Sequence, residues 1–351
     1  MSDPESIENI PSSVPPNTQI QLMRVPDDQE YVNRLAAAVK DITLSCGRYM
    51  DLSLLDGITV GWDYDAALQA VDLGYESSVA KTYTNTEDMI GVAKTLRVRR
   101  GTSIKAYIVY NANVLGGLSD YNGPLFLSSA NLIAHELGHA CAIAWFDKHS
   151  PGIMLEPFKG DRIRGALLND AHTCWEEYAA CRLAAVFDDT TVEKKLLDIA
   201  RKQSSGIFAK GHQFIKSYRF HGDLNQAWSE VSGALLSGVK FLSYYLGHID
   251  GLYAKKADVA GNEAFGDLCP FVEPIQNELR RAWDTRHEWE GLNGLSGLMN
   301  ILLEILSAGG MVVTLDKPGD GHSSRVDFPF SPQTLPGGEA TYLLMKLQNK
   351  L

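Results

Sequence analysis

Asn131 to Ala144 reads Asn-Leu-Ile-Ala-His-Glu-Leu-Gly-His-Ala-Cys-Ala-Ile-Ala, an HExxH sequence (His135, Glu136, His139) set among small and apolar residues. The periodicity predicts a helix over Ser129 to Phe146, with Ser128 or Ser129 as its N-cap and Pro151-Gly152 beyond its end. Positions i and i+4 share one helix face with Cβ atoms about 5–6 Å apart, so two imidazoles there can close on one metal ion. Zinc held this way lowers the pKa of its water towards ~7, and Glu136 stands beside it as a base. In a chain of this composition the motif arises by chance with a probability of roughly 1%. A plain surface helix fits poorly. Leu132, Ile133, Ala134, Leu137 and Ala140 flank the three polar residues, and buried polar groups need partners.

A catalytic zinc takes three protein ligands and keeps one position open. The metzincin extension is excluded, because Ala142 and Trp145 stand where its glycine and third histidine are required. The next helical segment, His172-Thr-Cys-Trp-Glu-Glu-Tyr-Ala-Ala-Cys-Arg182, offers two carboxylates. Glu177 shares a face with Cys174, Tyr178, Cys181 and Ala184, where a buried acid calls for a cation. Glu176 follows Thr173 by three residues, as in a capping box, and is the alternative third ligand.

HELGH on one helix with W-x-E-Y-x-A-x-R on a later one (Trp175 to Arg182) resembles the gluzincin class of zinc peptidases. The order of strand and motif is most similar to ImmA/IrrE-type domains over roughly residues 52–187. That resemblance implies His135, His139 and Glu177 as zinc ligands, Glu136 as base, and cleavage of a regulatory protein in a bacterial cytoplasm. It also implies that the strand before the motif helix is the sheet edge on which substrate pairs. The chain departs from the thermolysin-like ExxxD pattern: Cys181 stands four residues after Glu177, so an outer partner for a ligand histidine is not expected there.

Weaker signals surround this core. His172 could polarise a substrate carbonyl or sit near a helix start, and Tyr178 could donate to an oxyanion, though a packed tyrosine is the plainer reading. His212, Tyr218 and His221 could hold a transition-state donor. Cys141, Cys174 and Cys181 read as buried thiols rather than ligands. Lys94, Arg97, Arg99, Arg100 and Lys105 read as a solvated strand face, with an acidic partner as the sharper alternative.

The rest of the chain supplies the frame. Its 351 residues are 45% hydrophobic and 21% charged, an ordinary globular composition. A net charge of −11 disfavours a general nucleic-acid or anionic-membrane partner. Five cysteines without a CxxC pair point to a reducing compartment. Residues 1–26 are polar and proline-dotted, and read as a disordered tail. A helix is expected over Tyr31 to Met50, and strands over Gly57 to Asp63, Ser77 to Tyr83 and Ser103 to Asn111. Further helices are expected over Asp170 to Phe187, Thr191 to Gln203, Leu224 to Leu246, Glu273 to Trp289 and Gly297 to Leu306. Met311 to Leu315 and Arg325 to Phe330 suggest a terminal strand pair, and the apolar stretch Leu295 to Val313 reads as a buried helix running into it.

The fold expected is α+β: a small mixed or antiparallel sheet, then the motif helix and a largely helical C-terminal half. With the resemblance, residues 27–205 form a zincin-like metallopeptidase domain, and 206–351 form a helical region packing on it. The expected function is a cytoplasmic Zn2+-dependent metallopeptidase acting on a protein or peptide. The alternative is a zinc-binding regulatory protein with latent or no peptidase activity, its partner bound through the C-terminal region.

Overall fold

The structure is a computed structural model that describes residues 10–77, 80–83, 91–156, 158–188, 191–253, 262–316 and 324–351. The N-terminal half holds strands β1 (Gln19–Met23), β2 (Leu55–Gly61), β3 (Ala93–Arg100) and β4 (Ser103–Asn111), with helices α1 (Gln29–Cys46) and α2 (Tyr64–Ala70) between them. The motif helix α3 (Phe126–His149) and α4 (Arg162–Ala184) follow. Helices α5 (Thr191–Ser204), α6 (Ile207–His221), α7 (Leu224–Leu252), α8 (Val272–Asp284) and α9 (Ser296–Ala308) make the bulk of the rest. Strands β5 (Val312–Thr314) and β6 (Arg325–Asp327) pair antiparallel, and α10 (Gly338–Leu347) ends the chain. The α+β expectation holds, and the sheet is mixed.

The sheet order is β1-β2-β4-β3, with β1/β2 and β2/β4 parallel and β3/β4 antiparallel. Strand β4 is therefore internal. The expectation that Ser103 to Asn111 forms the sheet edge is corrected: β3 is the edge on that side. The expected strand over Ser77 to Tyr83 is absent from its described residues, and residues 78–79 lie outside them. Part of the expected tail is folded as well. Gln19–Met23 alternates in the manner of a strand and pairs in register with Gly57–Gly61, while the Ser13 hydroxyl donates to the Met50 carbonyl at 2.6 Å.

Helix α1 buries Val32, Leu35, Val39 and Ile42 at helical spacing, and Asp28 caps it by accepting from the Tyr31 N–H. Helix α3 has no side-chain cap; Leu125 occupies the cap position, and Ser128 and Ser129 lie inside the first turn. Its start is set by the preceding turn, where the Phe126 N–H bonds the Gly123 carbonyl, so the serine-cap expectation fails. Helix α4 begins eight residues earlier than expected, because Asp161 caps it through the Arg164 N–H at 2.8 Å. The polar pair Asn169-Asp170 conceals that extension in the pattern. Helices α2, α6 and α10 have no counterpart among the sequence expectations.

Close helix approach positions the later site. A Cβ on Gly138 would lie 2.7 Å from the Ala180 Cα, so α3 and α4 cross where only a glycine fits. A Cβ on Gly247 would lie 2.2 Å from the Tyr178 carbonyl oxygen, which draws α7 onto α4 in the same way. Tyr178 reinforces this junction: its hydroxyl donates to Asp250 at 2.6 Å and accepts from Arg182 at 2.7 Å. Arg280 from α8 holds the same carboxylate with two bonds, at 2.7 and 2.9 Å. One buried cluster runs from Leu35 through Ile133, Trp175 and Leu242 to Leu306. The apolar segment Gly291–Ala308 is long and apolar enough to cross a membrane by composition, but α9 within it buries Leu298, Leu302 and Ile305 in this cluster.

Candidate metal centre

His135, Glu136 and His139 lie close enough to hold one metal ion, with ligand atoms all within 4.8 Å of one another. The Nε2 atoms of His135 and His139 are 3.2 Å apart on one face of α3. From α4, Glu177 brings Oε2 to 3.5 Å from His135 Nε2 and 3.3 Å from His139 Nε2. Bonds of about 2.0–2.1 Å at tetrahedral angles place donor atoms about 3.3–3.4 Å apart. The three separations match that requirement. Glu177 Oε2 is buried and takes part in no hydrogen bond, which is costly unless a cation completes it. The two imidazoles and this carboxylate therefore fit a zinc ion in chemistry and spacing.

Glu136 is buried, and its carboxylate accepts from the Thr95 hydroxyl of β3 at 2.7 Å. The same hydroxyl lies 3.0 Å from the Glu136 carbonyl oxygen, so the edge strand and α3 are joined at this residue. Glu176 points elsewhere than Glu177. Its Oε1 lies 3.5 Å from His139 Nδ1, on the imidazole nitrogen away from the pair, and its Oε2 pairs with Arg97 Nη2 at 2.8 Å. His135 Nδ1 also has an outer partner, the Cys181 thiol at 3.5 Å. Position 181 thus faces a histidine after all, as a thiol where a carboxylate was the pattern.

Burial and neighbouring charge set the protonation of these groups. Burial opposes a charge on His139, but Glu177 and Glu176 on either side hold its pKa well above the usual histidine value. Burial also opposes ionisation of Glu177, yet His139, His135 and Lys240 keep it well below the carboxylate range. For Glu176 the lowering comes against burial from Arg97 first, then His139 and His172. Burial pushes His172 down to about 4 and raises the Cys181 thiol well above its ordinary value.

The group lies in a cleft of about 710 Å³ walled by β3, α3, α4, α5 and α7, with the half-buried Ser128 and the exposed Lys195 on its lining. A larger cavity of about 1070 Å³ adjoins it but shares only Arg97 with the cleft and contains none of the HExxH residues. His172 lines that second cavity, 3.6 Å from Glu176 Oε2, and not the cleft. Tyr178 is fully buried in the α4–α7–α8 junction. His212, Tyr218 and His221 belong to α6 and line neither cavity.

The basic run is not a solvated face. Arg97 joins Glu176, Arg100 bonds Asp56 at 2.9 Å, and Arg99 lies over the Tyr75 ring. Sequence reasoning missed the contribution of α7. Lys240 pairs with Glu177 Oε1 at 3.2 Å, Tyr244 stacks on His135 with ring centroids 5.6 Å apart, and His248 lines the same cleft. Their i, i+4, i+8 spacing is a stripe of polar groups in an apolar helix, the one signal that could have found them. Comparison with protein-family models, curated proteins and solved structures gives no match.

Proposed function

We propose that the protein is a zinc-dependent peptidase with His135, His139 and Glu177 as ligands and Glu136 as the base. The observation that carries this reading is the orphaned Glu177 Oε2, held 3.3–3.5 Å from two imidazole nitrogens that are themselves 3.2 Å apart. Glu136 is the weaker third ligand, since Thr95 already engages its carboxylate, and a base must keep an oxygen for the water proton. The donor set, two imidazoles and one carboxylate, is one that zinc takes in hydrolytic sites. When bound, the ion supplies Lewis-acid polarisation of a carbonyl and a more acidic water.

The chain's own residues would do the rest. Glu136 takes the water proton at its carboxylate and returns it to the leaving amine, while Thr95 fixes the rotamer of that carboxylate. Substrate backbone has a place to pair on β3. At the far end of this edge the Arg99 N–H is taken by the Leu73 carbonyl at 2.8 Å, and the Tyr75 hydroxyl donates to the Arg97 carbonyl. By strand alternation Thr95 and Ala93 turn their backbone groups to the same outer side, beside Glu136. Main-chain pairing there gives affinity with little side-chain selectivity.

Both histidines retain access to an open cleft, which favours turnover over a sealed structural ion. The five free thiols agree with a reducing, cytoplasmic setting. The test is Glu136→Gln. It keeps stoichiometric zinc and loses cleavage of a casein or mixed-peptide substrate by more than about 100-fold. Undiminished cleavage by that variant overturns the mechanism.

A further inference from the structure

Glu177 divides its two oxygens between different partners. Oε2 faces the imidazoles and has no hydrogen bond, whereas Oε1 meets the ammonium of Lys240 at 3.2 Å. Lys240 comes from the middle of α7, and its side chain keeps 30% of its exposure while that of Glu177 keeps 10%. The ammonium also approaches the Tyr244 ring, at 5.9 Å, and that ring stacks on His135. One turn of α7 thus touches two of the three proposed ligands.

We infer that Lys240 is a positioning residue that holds Glu177 as a one-oxygen ligand, so that the C-terminal half of the chain sets how tightly the metal is bound. The inference rests on the zinc reading above. A carboxylate free at both oxygens can rotate or chelate with both; an ammonium on the outer oxygen removes those alternatives. Outer-sphere partners of ligands are worth about 10–100-fold in metal affinity. The sign of the effect is informative. A lysine acting only through its charge would repel the dication, and its removal would tighten binding. A lysine that positions the ligand does the reverse.

The experiment measures the zinc dissociation constant of the full chain by competition with a chromophoric chelator, in wild type, Lys240→Met, Lys240→Arg, Lys195→Met and Glu177→Gln. Circular dichroism of each variant checks folding. Lys240→Met is expected to weaken zinc by about 10–100-fold, with Lys240→Arg recovering most of the loss. Lys195→Met, on the cleft lining but in no ion pair among the described residues, is expected to change nothing. The cobalt-substituted Lys240→Met protein should also show weaker visible absorption as the carboxylate chelates and coordination rises above four. Unchanged or tighter zinc binding by a folded Lys240→Met overturns the inference. If Glu177→Gln binds zinc as wild type does, the ligand assignment itself fails, and the inference falls with it.

Discussion

Glu176 and Glu177 are neighbours in sequence that face opposite nitrogens of the same ring: Glu176 Oε1 lies 3.5 Å from His139 Nδ1, and Glu177 Oε2 lies 3.3 Å from His139 Nε2. A carboxylate on the outer nitrogen fixes the tautomer and raises the basicity of the inner one. Arg97 ties the outer carboxylate to β3, the strand that also carries Thr95. The edge strand, Glu136 and the His139 imidazole therefore form a connected unit.

The two acids should separate cleanly under mutation. Glu177→Gln is expected to lose zinc at micromolar free metal. Glu176→Gln is expected to retain it with affinity reduced about 10–100-fold, as for an outer partner. Metal analysis after dialysis, beside wild type, reads both outcomes, and the reverse order would exchange the roles.

Tyr178 is assigned to the scaffold, where it links Asp250 and Arg182 in the α4–α7–α8 junction. Tyr178→Phe should cost about 1–3 kcal/mol, because it leaves a buried carboxylate and a half-buried guanidinium short of a partner. The denaturant midpoint should fall while zinc content and cleavage per folded molecule stay unchanged. A selective loss of turnover would return Tyr178 to the chemistry.

Gly138 sets the spacing between the histidine helix and the glutamate helix. A valine there meets the Ala180 backbone and must push α4 away, costing about 1–3 kcal/mol. The displacement should also weaken zinc, since the donor atoms on α3 and α4 separate together. Chelator competition on folded Gly138→Val tests this; wild-type affinity would show that the crossing does not set the donor geometry.

Asp170 gives a pH signature away from the metal. Burial alone raises its carboxyl from 3.8 to about 6. A raised folded-state pKa means the native protein holds the proton more tightly than the unfolded chain. That stabilisation is complete below the unfolded value and is lost as pH rises through 6. Asp170→Asn should therefore raise stability at pH 7.5 by about 3 kcal/mol, with the gain shrinking to nothing near pH 4. Thermal melts of both proteins across that range decide it.

The legible part of this molecule is local. HExxH and the apolar residues around it announce α3, and Ser103–Asn111 announces β4 to the residue, because helix and strand periods are written into short windows. Glu177 was also within reach, since an acid on an apolar face advertises its need for a partner. What stayed hidden depends on distant chain segments. The edge role of β3 follows from which strand pairs with β4, and Gln19–Met23 looked like tail because prolines surround it. Lys240 and Tyr244 meet His135 and Glu177 only after α7 docks on α4. Cys181 gives no sign in the sequence of serving a histidine, yet its thiol lies 3.5 Å from His135 Nδ1.

The docking of α7 also dictates an order of events during synthesis. His135, His139 and Glu177 leave the ribosome well before Lys240, so a nascent chain ending between α4 and α7 carries these side chains without the helix that pairs with Glu177 and stacks on His135. Domains of this kind fold as units once their last packing element is available. On the zinc reading proposed above, metal would be acquired late, by a nearly complete polypeptide, and chains truncated before α7 would bind it more weakly than the full chain.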